Sequence, residues 1–246
     1  MPKNRFILNK VIIVLIFLLA GVLFFHNFTS INADIGRHIK LGEIIWQTGT
    51  IPKVNLLSFT APDYPFINHH WLSEVVFYKI YSTGSDWISG LKAVMILKII
   101  VLLATYFLLF LIVKKRNIFS IALAFVVSIF VLSARTEVRP EIFSYLFFSI
   151  NLLIIYSVRS RSNLKNPQGS TFGWLWLLPI VQLFWVNMHI YFAIGPILFL
   201  FFLIDYIVNK NKFSIFNFQF SKLLIIGGLI ILANLVNPNF VVGALY

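Results

Sequence analysis

The chain has no cysteine, and only 11% of its 246 residues carry charge. Without cysteine there is neither a disulfide framework nor a thiolate metal site. So little charge beside 59% apolar residues, 17% aromatics and a mean hydropathy of +0.90 excludes an ordinary soluble domain. Also missing are a G-x-G-x-x-G turn and a P-loop, so no nucleotide-phosphate cradle is expected. No internal repeat, low-complexity tract or alternating ten-residue strand pattern occurs, which excludes solenoids and transmembrane barrels. What remains is an all-α, polytopic integral membrane protein, read as a single membrane domain over residues 1–246.

Apolar runs of bilayer length, or close to it, fall at about 7–25, 91–113, 118–134, 142–158, 172–186, 190–208 and 223–236, which predicts seven transmembrane helices. The first run is longer than a signal-peptide core and is not closed by an A-x-A-like site, so it is read as a retained span. Lys3, Arg5, Lys10, Lys114, Lys115, Arg116, Arg159, Arg161, Lys165, Lys210, Lys212 and Lys222 all fall on one side of this arrangement. Basic turns stay cytoplasmic, which predicts a cytoplasmic N-terminus and a large outer loop over 26–90 in the cell membrane. The formal net charge of +12 then reflects topology and contact with anionic lipid headgroups, and no nucleic-acid partner is expected. Asp205 is left near the inner end of the sixth span, as a residue at headgroup level.

The outer loop concentrates the ionisable chemistry: Asp34, Glu43, Asp63, Glu74 and Asp86 among eight acids, and His26, His38, His69 and His70 among five histidines. Ile35, Ile39, Gly42 and Trp46 recur at helical spacing behind Asp34, which sits where an N-cap would. Gly49-Thr-Ile-Pro52 ends that helix, and Pro62 and Pro65 punctuate an irregular stretch. A second amphipathic helix is predicted over Trp71–Tyr81, with Leu72, Val75, Val76 and Ile80 apolar. Both helices are expected to lie at the membrane interface with their apolar sides down. Arg135, Glu137, Arg139 and Glu141 form a cluster of alternating sign between the third and fourth spans, and Asn187 and His189 sit at the outer mouth of the fifth and sixth.

The exported Asp34, then Gly42 and Gly49-Thr-Ile-Pro52, Ser58-Phe-Thr60 and His70-Trp71-Leu72-Ser-Glu74, resemble the first outer loop of bacterial GT-C glycosyltransferases. That superfamily includes protein mannosyltransferases, aminoarabinose transferases and oligosaccharyltransferases. Arg139-Pro140-Glu141 and Trp185-Val-Asn187-Met-His189 are similar to its later outer motifs, so the resemblance touches most of the chain. It implies transfer of a sugar from a polyprenyl-phosphate-linked donor to a lipid, glycan or protein acceptor at the outer face. Asp34 is then the expected general base or acceptor-positioning group, with Glu137 or Glu141 as a second acid. Arg135 and Arg139, or Arg37 and His38, would meet the leaving phosphate. His70, Glu74, Asn187 and His189 complete the expected substrate-binding set. A nucleotide-sugar donor is not expected, and no cofactor is required.

Plainer readings stand beside these. Asp34 also reads as a simple N-cap, Arg37, His38 and Lys40 as a solvated face, and Glu74 as a surface position. The cluster at 135–141 reads equally as a self-neutralising ion-pair patch, and Asn187 with His189 as a satisfied interfacial pair. His69 and His70 with Asp34 could ligate a divalent cation. Gly195-Pro196 and Gly227-Gly228 read as packing or kink positions. Two further functions compete: a transporter or flippase, against which spans three to seven offer almost no mid-span charge, and a non-catalytic subunit of a glycosylation complex. Lys92 and Lys98 in the second span fit neither the enzyme nor the transporter simply. Members of the superfamily usually continue beyond seven spans, so a chain ending at Tyr246 looks cut short.

Overall fold

A computed structural model describes residues 3–26, 33–86, 88–162, 172–208 and 218–245. The basic positions Lys165, Lys210 and Lys212 lie outside them. Described residues form helices α1 (Lys3–Phe24), α2 (Ala33–Thr48), α3 (Trp71–Tyr81), α4 (Gly90–Val113), α5 (Ile118–Ser133) and α6 (Glu141–Ser162). A 3-10 turn, Phe172–Trp176, leads into α7 (Leu177–Met188), and a second, Ile190–Ala193, into α8 (Ile194–Val208). The chain continues through α9 (Phe218–Ala233) and α10 (Phe240–Leu245).

Four segments are long and apolar enough to cross a membrane: Phe6–Phe24, Gly90–Val113, Glu141–Arg159 and Ile190–Val208. These four match four of the seven expected spans. Ile118–Ser133, Gly173–Met188 and Phe220–Ala233 are shorter apolar helices. At 1.5 Å per residue, 16 residues make about 24 Å, short of a hydrocarbon layer of roughly 30 Å. The ends of α4 and α5 follow from local chemistry. Ser89 caps α4 by accepting from the Lys92 amide, and Asn117 caps α5 by accepting from the Phe119 amide, with the basic turn Lys114–Arg116 between them.

Helices α1, α3, α4, α5 and α6 share one apolar core around Ala20, Phe24, Phe77, Met95, Leu102 and Ile129. A second core, with Ile154, Leu178, Phe199 and Ile226, joins α6 to α7, α8 and α9. Where α8 meets α7, a Cβ on Gly195 would collide with the Gln182 side chain, and one on Gly227 of α9 would press into the Phe199 ring. Both glycines thus serve close helix approach.

The two loop helices, α2 and α3, pack tightly on each other. Gly42 permits this, because a Cβ there would run into the backbone carbonyl of Glu74. The buried stripe of α2 is Ile35, His38, Leu41, Gly42 and Ile45, while Trp46 turns outward beneath the Lys79 ammonium, 4.1 Å from its ring centroid. The expected stripe was rotated at Trp46 for that reason: a cation on α3 supplies the ring with an exposed partner. On α3 the most buried side chains are Ser73, Glu74 and Phe77, so its inward face is partly polar. Between the helices an isolated bridge pairs Val54 with Pro65, closed by the Phe66 amide on the Lys53 carbonyl at 2.8 Å, and leaves Phe59 fully exposed.

Candidate functional site

One end of the bundle gathers the N-terminus of α2, the start of α3, the α5–α6 turn and the α7–α8 corner. Asp34 lies inside the first turn of α2, and its Oδ2 forms an ion pair with Arg139 Nη2 at 2.9 Å, with both side chains 41% exposed. The Arg139 guanidinium also forms an ion pair with the Glu137 carboxylate, while its Nε makes no hydrogen bond. Arg135 contacts both oxygens of Glu141 at 3.3 and 3.4 Å, a looser pair. All four cluster positions are thus ion-paired with Asp34 or with one another.

Lys98 explains why the turn holds its shape. The side chain is buried, yet Nζ donates to the carbonyls of Arg135 at 2.9 Å and Thr136 at 3.1 Å. These carbonyls sit just past the C-terminus of α5, where a cation is favoured by the helix dipole and the open carbonyls need donors. The mid-helix lysine that fitted no simple reading therefore anchors the turn carrying Arg135, Glu137 and Arg139. Beside that turn is a cup of about 250 Å³ lined by Ala134, Arg135, Thr136, Glu137 and Glu141. Arg135 also closes one end of an apolar groove of about 810 Å³ along α5.

Beneath the exposed array lies a buried polar network. Glu74 is fully enclosed and accepts from His38 Nδ1 at 2.9 Å and from Asn68 Nδ2 at 2.6 Å. A carboxylate only accepts, so the His38 proton sits on Nδ1. Asn68 Oδ1 in turn accepts the His70 amide at 2.9 Å. The His70 ring stacks on His189 with centroids 5.2 Å apart and meets His38 edge-on at 5.8 Å. Burial, then the positive charge that His189, His38, His69 and Arg37 would present, pushes the His70 pKa down to about 3. Burial, then His38 and His69, lowers that of His189 to about 4. Both rings are neutral at neutral pH.

The tautomer of His189 follows from its partners. Trp185 Nε1 donates to Ser144 Oγ at 2.8 Å, and His189 Nδ1 accepts the Tyr191 amide at 3.4 Å, so Nδ1 carries no proton and the Ser144 hydroxyl donates to it, also at 2.8 Å. Asn187 joins three elements: its Oδ1 accepts from Trp71 Nε1 at 2.8 Å, and its Nδ2 donates to the carbonyls of Leu183 and Val236.

The structure brings Asp34, Glu137, Arg139, Arg135 and Glu141 together, and places His38, His70, Glu74, Asn187 and His189 in the supporting layer. His38 and Glu74 are too buried, and too well occupied with each other, for the substrate contact expected of them. Neither the simple N-cap reading of Asp34 nor the surface reading of Glu74 fits these pairings. Arg37 is half-buried and bears on His70, with no ion pair among the described residues. Among the described residues no group of three His, Asp or Glu side chains is arranged to hold a metal ion, so the His69–His70–Asp34 ligand set is not formed. At the opposite end, Asp205 is paired with Arg159 Nε at 2.9 Å rather than lying alone. Sequence reasoning missed Asn68 and Ser144, short polar side chains without a distinguishing pattern, and Trp71 as a donor.

Compared with protein-family models, with curated proteins and with solved structures, the chain matches none.

Proposed function

We propose that the chain is a multi-pass membrane glycosyltransferase of the GT-C type, moving a sugar from a polyprenyl-phosphate-linked donor to an acceptor at the outer membrane face. Three shorter apolar helices beside the four long ones support seven crossings, with the N-terminus cytoplasmic and the site at the outer face. The observation that carries the proposal is the Asp34–Arg139 pair, which ties a carboxylate on the first loop helix to a cation on the α5–α6 turn.

In the proposed step the acceptor hydroxyl attacks the anomeric carbon and its proton passes to the Asp34 carboxylate. The bond from that carbon to the phosphate oxygen breaks, and its electron pair leaves with the polyprenyl phosphate. Arg139 holds Asp34 in orientation. Arg135, with a side chain 60% exposed and loosely paired, is the cation with room for the phosphate. Glu137 and Glu141 are placed to accept hydrogen bonds from sugar hydroxyls, and the Glu74–His38–Asn68 network keeps α2, and so Asp34, in register with α3.

The test is sugar release from polyprenyl-phosphate sugars by protein reconstituted in liposomes, with Arg139→Ala beside wild type. The variant is expected to insert normally and lose about 10²–10³ in kcat, the scale for one stabilising donor. Full-rate transfer by Arg139→Ala overturns the proposed site.

A further inference from the structure

The loop segment Ser58-Phe-Thr60 lies apart from the ion pairs and the buried network, and its central ring, Phe59, is 100% exposed. We infer that the hairpin over 53–66 is a membrane-seated finger, whose Phe59 tip rests at the headgroup–acyl boundary of the leaflet beside α3. The finger is a defined turn. Its base is closed by the Phe66 amide on the Lys53 carbonyl at 2.8 Å and the Asn55 amide on the Tyr64 carbonyl at 3.0 Å. Within the tip the amides of Leu56, Ser58 and Tyr64 donate to the carbonyls of Val54, Asn55 and Ala61, and the Ala61 amide donates to Ser58 Oγ. Amides answered from within lower the cost of leaving water.

The tip displays Leu56, Leu57, Phe59 and Tyr64, each at least 44% exposed. Asp63 is the one charged residue between Val54 and Pro65, so the tip carries no charge pattern that a protein partner could read. The same carboxylate limits the depth of seating to the headgroup region. A bilayer surface is at hand. A Cβ on Gly90, the first residue of α4, would strike the carbonyl of Tyr81, the last residue of α3. At its other end α3 is bonded through Trp71 to Asn187 in the last turn of α7. Helix α3 therefore lies across the ends of the apolar helices, close to the membrane surface at which α4 begins. Trp46, Tyr81 and Ile88 are exposed there, with the Lys79 ammonium over the Trp46 ring. Exposed aromatics beside a snorkelling lysine are the chemistry of a membrane-interface belt. The hairpin springs from that belt, starting seven residues after Trp46, and a lipid surface suits both.

Because the chain has no cysteine, a single reporter can be placed at will. Thr60→Cys, at an exposed position beside Phe59, carries a polarity-sensitive fluorophore in full-length protein reconstituted in phosphatidylcholine–phosphatidylglycerol liposomes. Quenching is measured with lipids brominated on their acyl chains and with aqueous iodide, in Thr60→Cys alone and combined with Phe59→Ser. The expected result is quenching by brominated lipid and protection from iodide. Adding Phe59→Ser should shift that balance about tenfold toward water, with the thermal midpoint in detergent unchanged because the ring touches nothing in the fold. Full access to iodide overturns the inference. So does protection from both quenchers, the signature of a protein partner or a second copy, and so does lipid quenching that survives Phe59→Ser undiminished.

Discussion

Replacing Glu74 separates its structural role from any role in contacting substrate. The carboxylate is fully enclosed and holds His38 Nδ1 at 2.9 Å and Asn68 Nδ2 at 2.6 Å. Glu74→Ala leaves both donors buried and unanswered. Removing one partner of a buried charged network costs about 3–5 kcal/mol. Glu74→Gln keeps the shape and one acceptor, but its amide nitrogen must face either the His38 N–H or the Asn68 amide. Asn68 cannot turn over without giving up the His70 amide on its Oδ1. His38 must then move its proton from Nδ1 to Nε2 to accept the Gln amide, and both charge-assisted bonds become neutral ones, at about 1–3 kcal/mol. For a chain of this size a kcal/mol moves the midpoint by about 2–4 °C. The expected order in detergent, by helical circular dichroism, is wild type, then Glu74→Gln down by about 5 °C, then Glu74→Ala down by roughly 10 °C. A Glu74→Ala protein as stable as wild type, or a Glu74→Gln protein as damaged as Glu74→Ala, would refute the reasoning.

Two further predictions concern the same end of the bundle. Gly42→Ala is expected to cost about 1–3 kcal/mol, since its Cβ meets the Glu74 backbone, which cannot move aside like a side chain. Gly36→Ala on the open face of α2 has nothing within 4 Å and should gain about 0.5–1 kcal/mol, so equal midpoints for the two variants would contradict the packing of α2 on α3. The third concerns pH. His70 and His189 have folded pKa values of about 3 and about 4, below the usual 6.5, so the unfolded chain binds their protons first. Their contribution is fully present above pH 6.5 and is lost as pH falls below it, by up to about 1.4 kcal/mol per pH unit for each ring. Denaturant titrations between pH 7 and 5 should show that slope, and a His70→Gln, His189→Gln double variant should flatten it; an unchanged slope would show that other groups titrate.

What was legible in the sequence is what is local. The helix Trp71–Tyr81 has the bounds its periodicity predicts, and α4 differs by one residue, because a continuous apolar run ends at a basic turn. Asp34, Arg139 and their neighbours stood out because charge is scarce. Their pairing was not legible: Asp34 meets Arg139, His38 meets Glu74 and Trp71 meets Asn187 across long stretches of chain that leave no periodic trace. Glu74 illustrates the cost. On a helical wheel it falls opposite the aliphatic stripe of Leu72, Val75, Val76 and Ile80, and only the tertiary partners His38 and Asn68 make it an interior residue. Lys98 is the converse case, a charge within an apolar helix whose partners are carbonyls of another turn. Helix length was misjudged where apolar runs spill past a helix end, as Asn234 to Val236 do beyond α9.

The most direct test of the central claim is turnover of a polyprenyl-phosphate sugar by liposome-reconstituted wild type and Asp34→Asn at matched insertion. The substitution keeps an acceptor for Arg139 but removes the base. The account predicts a loss of about 10²–10⁴ in kcat with little change in midpoint. Transfer at the wild-type rate in Asp34→Asn would contradict it.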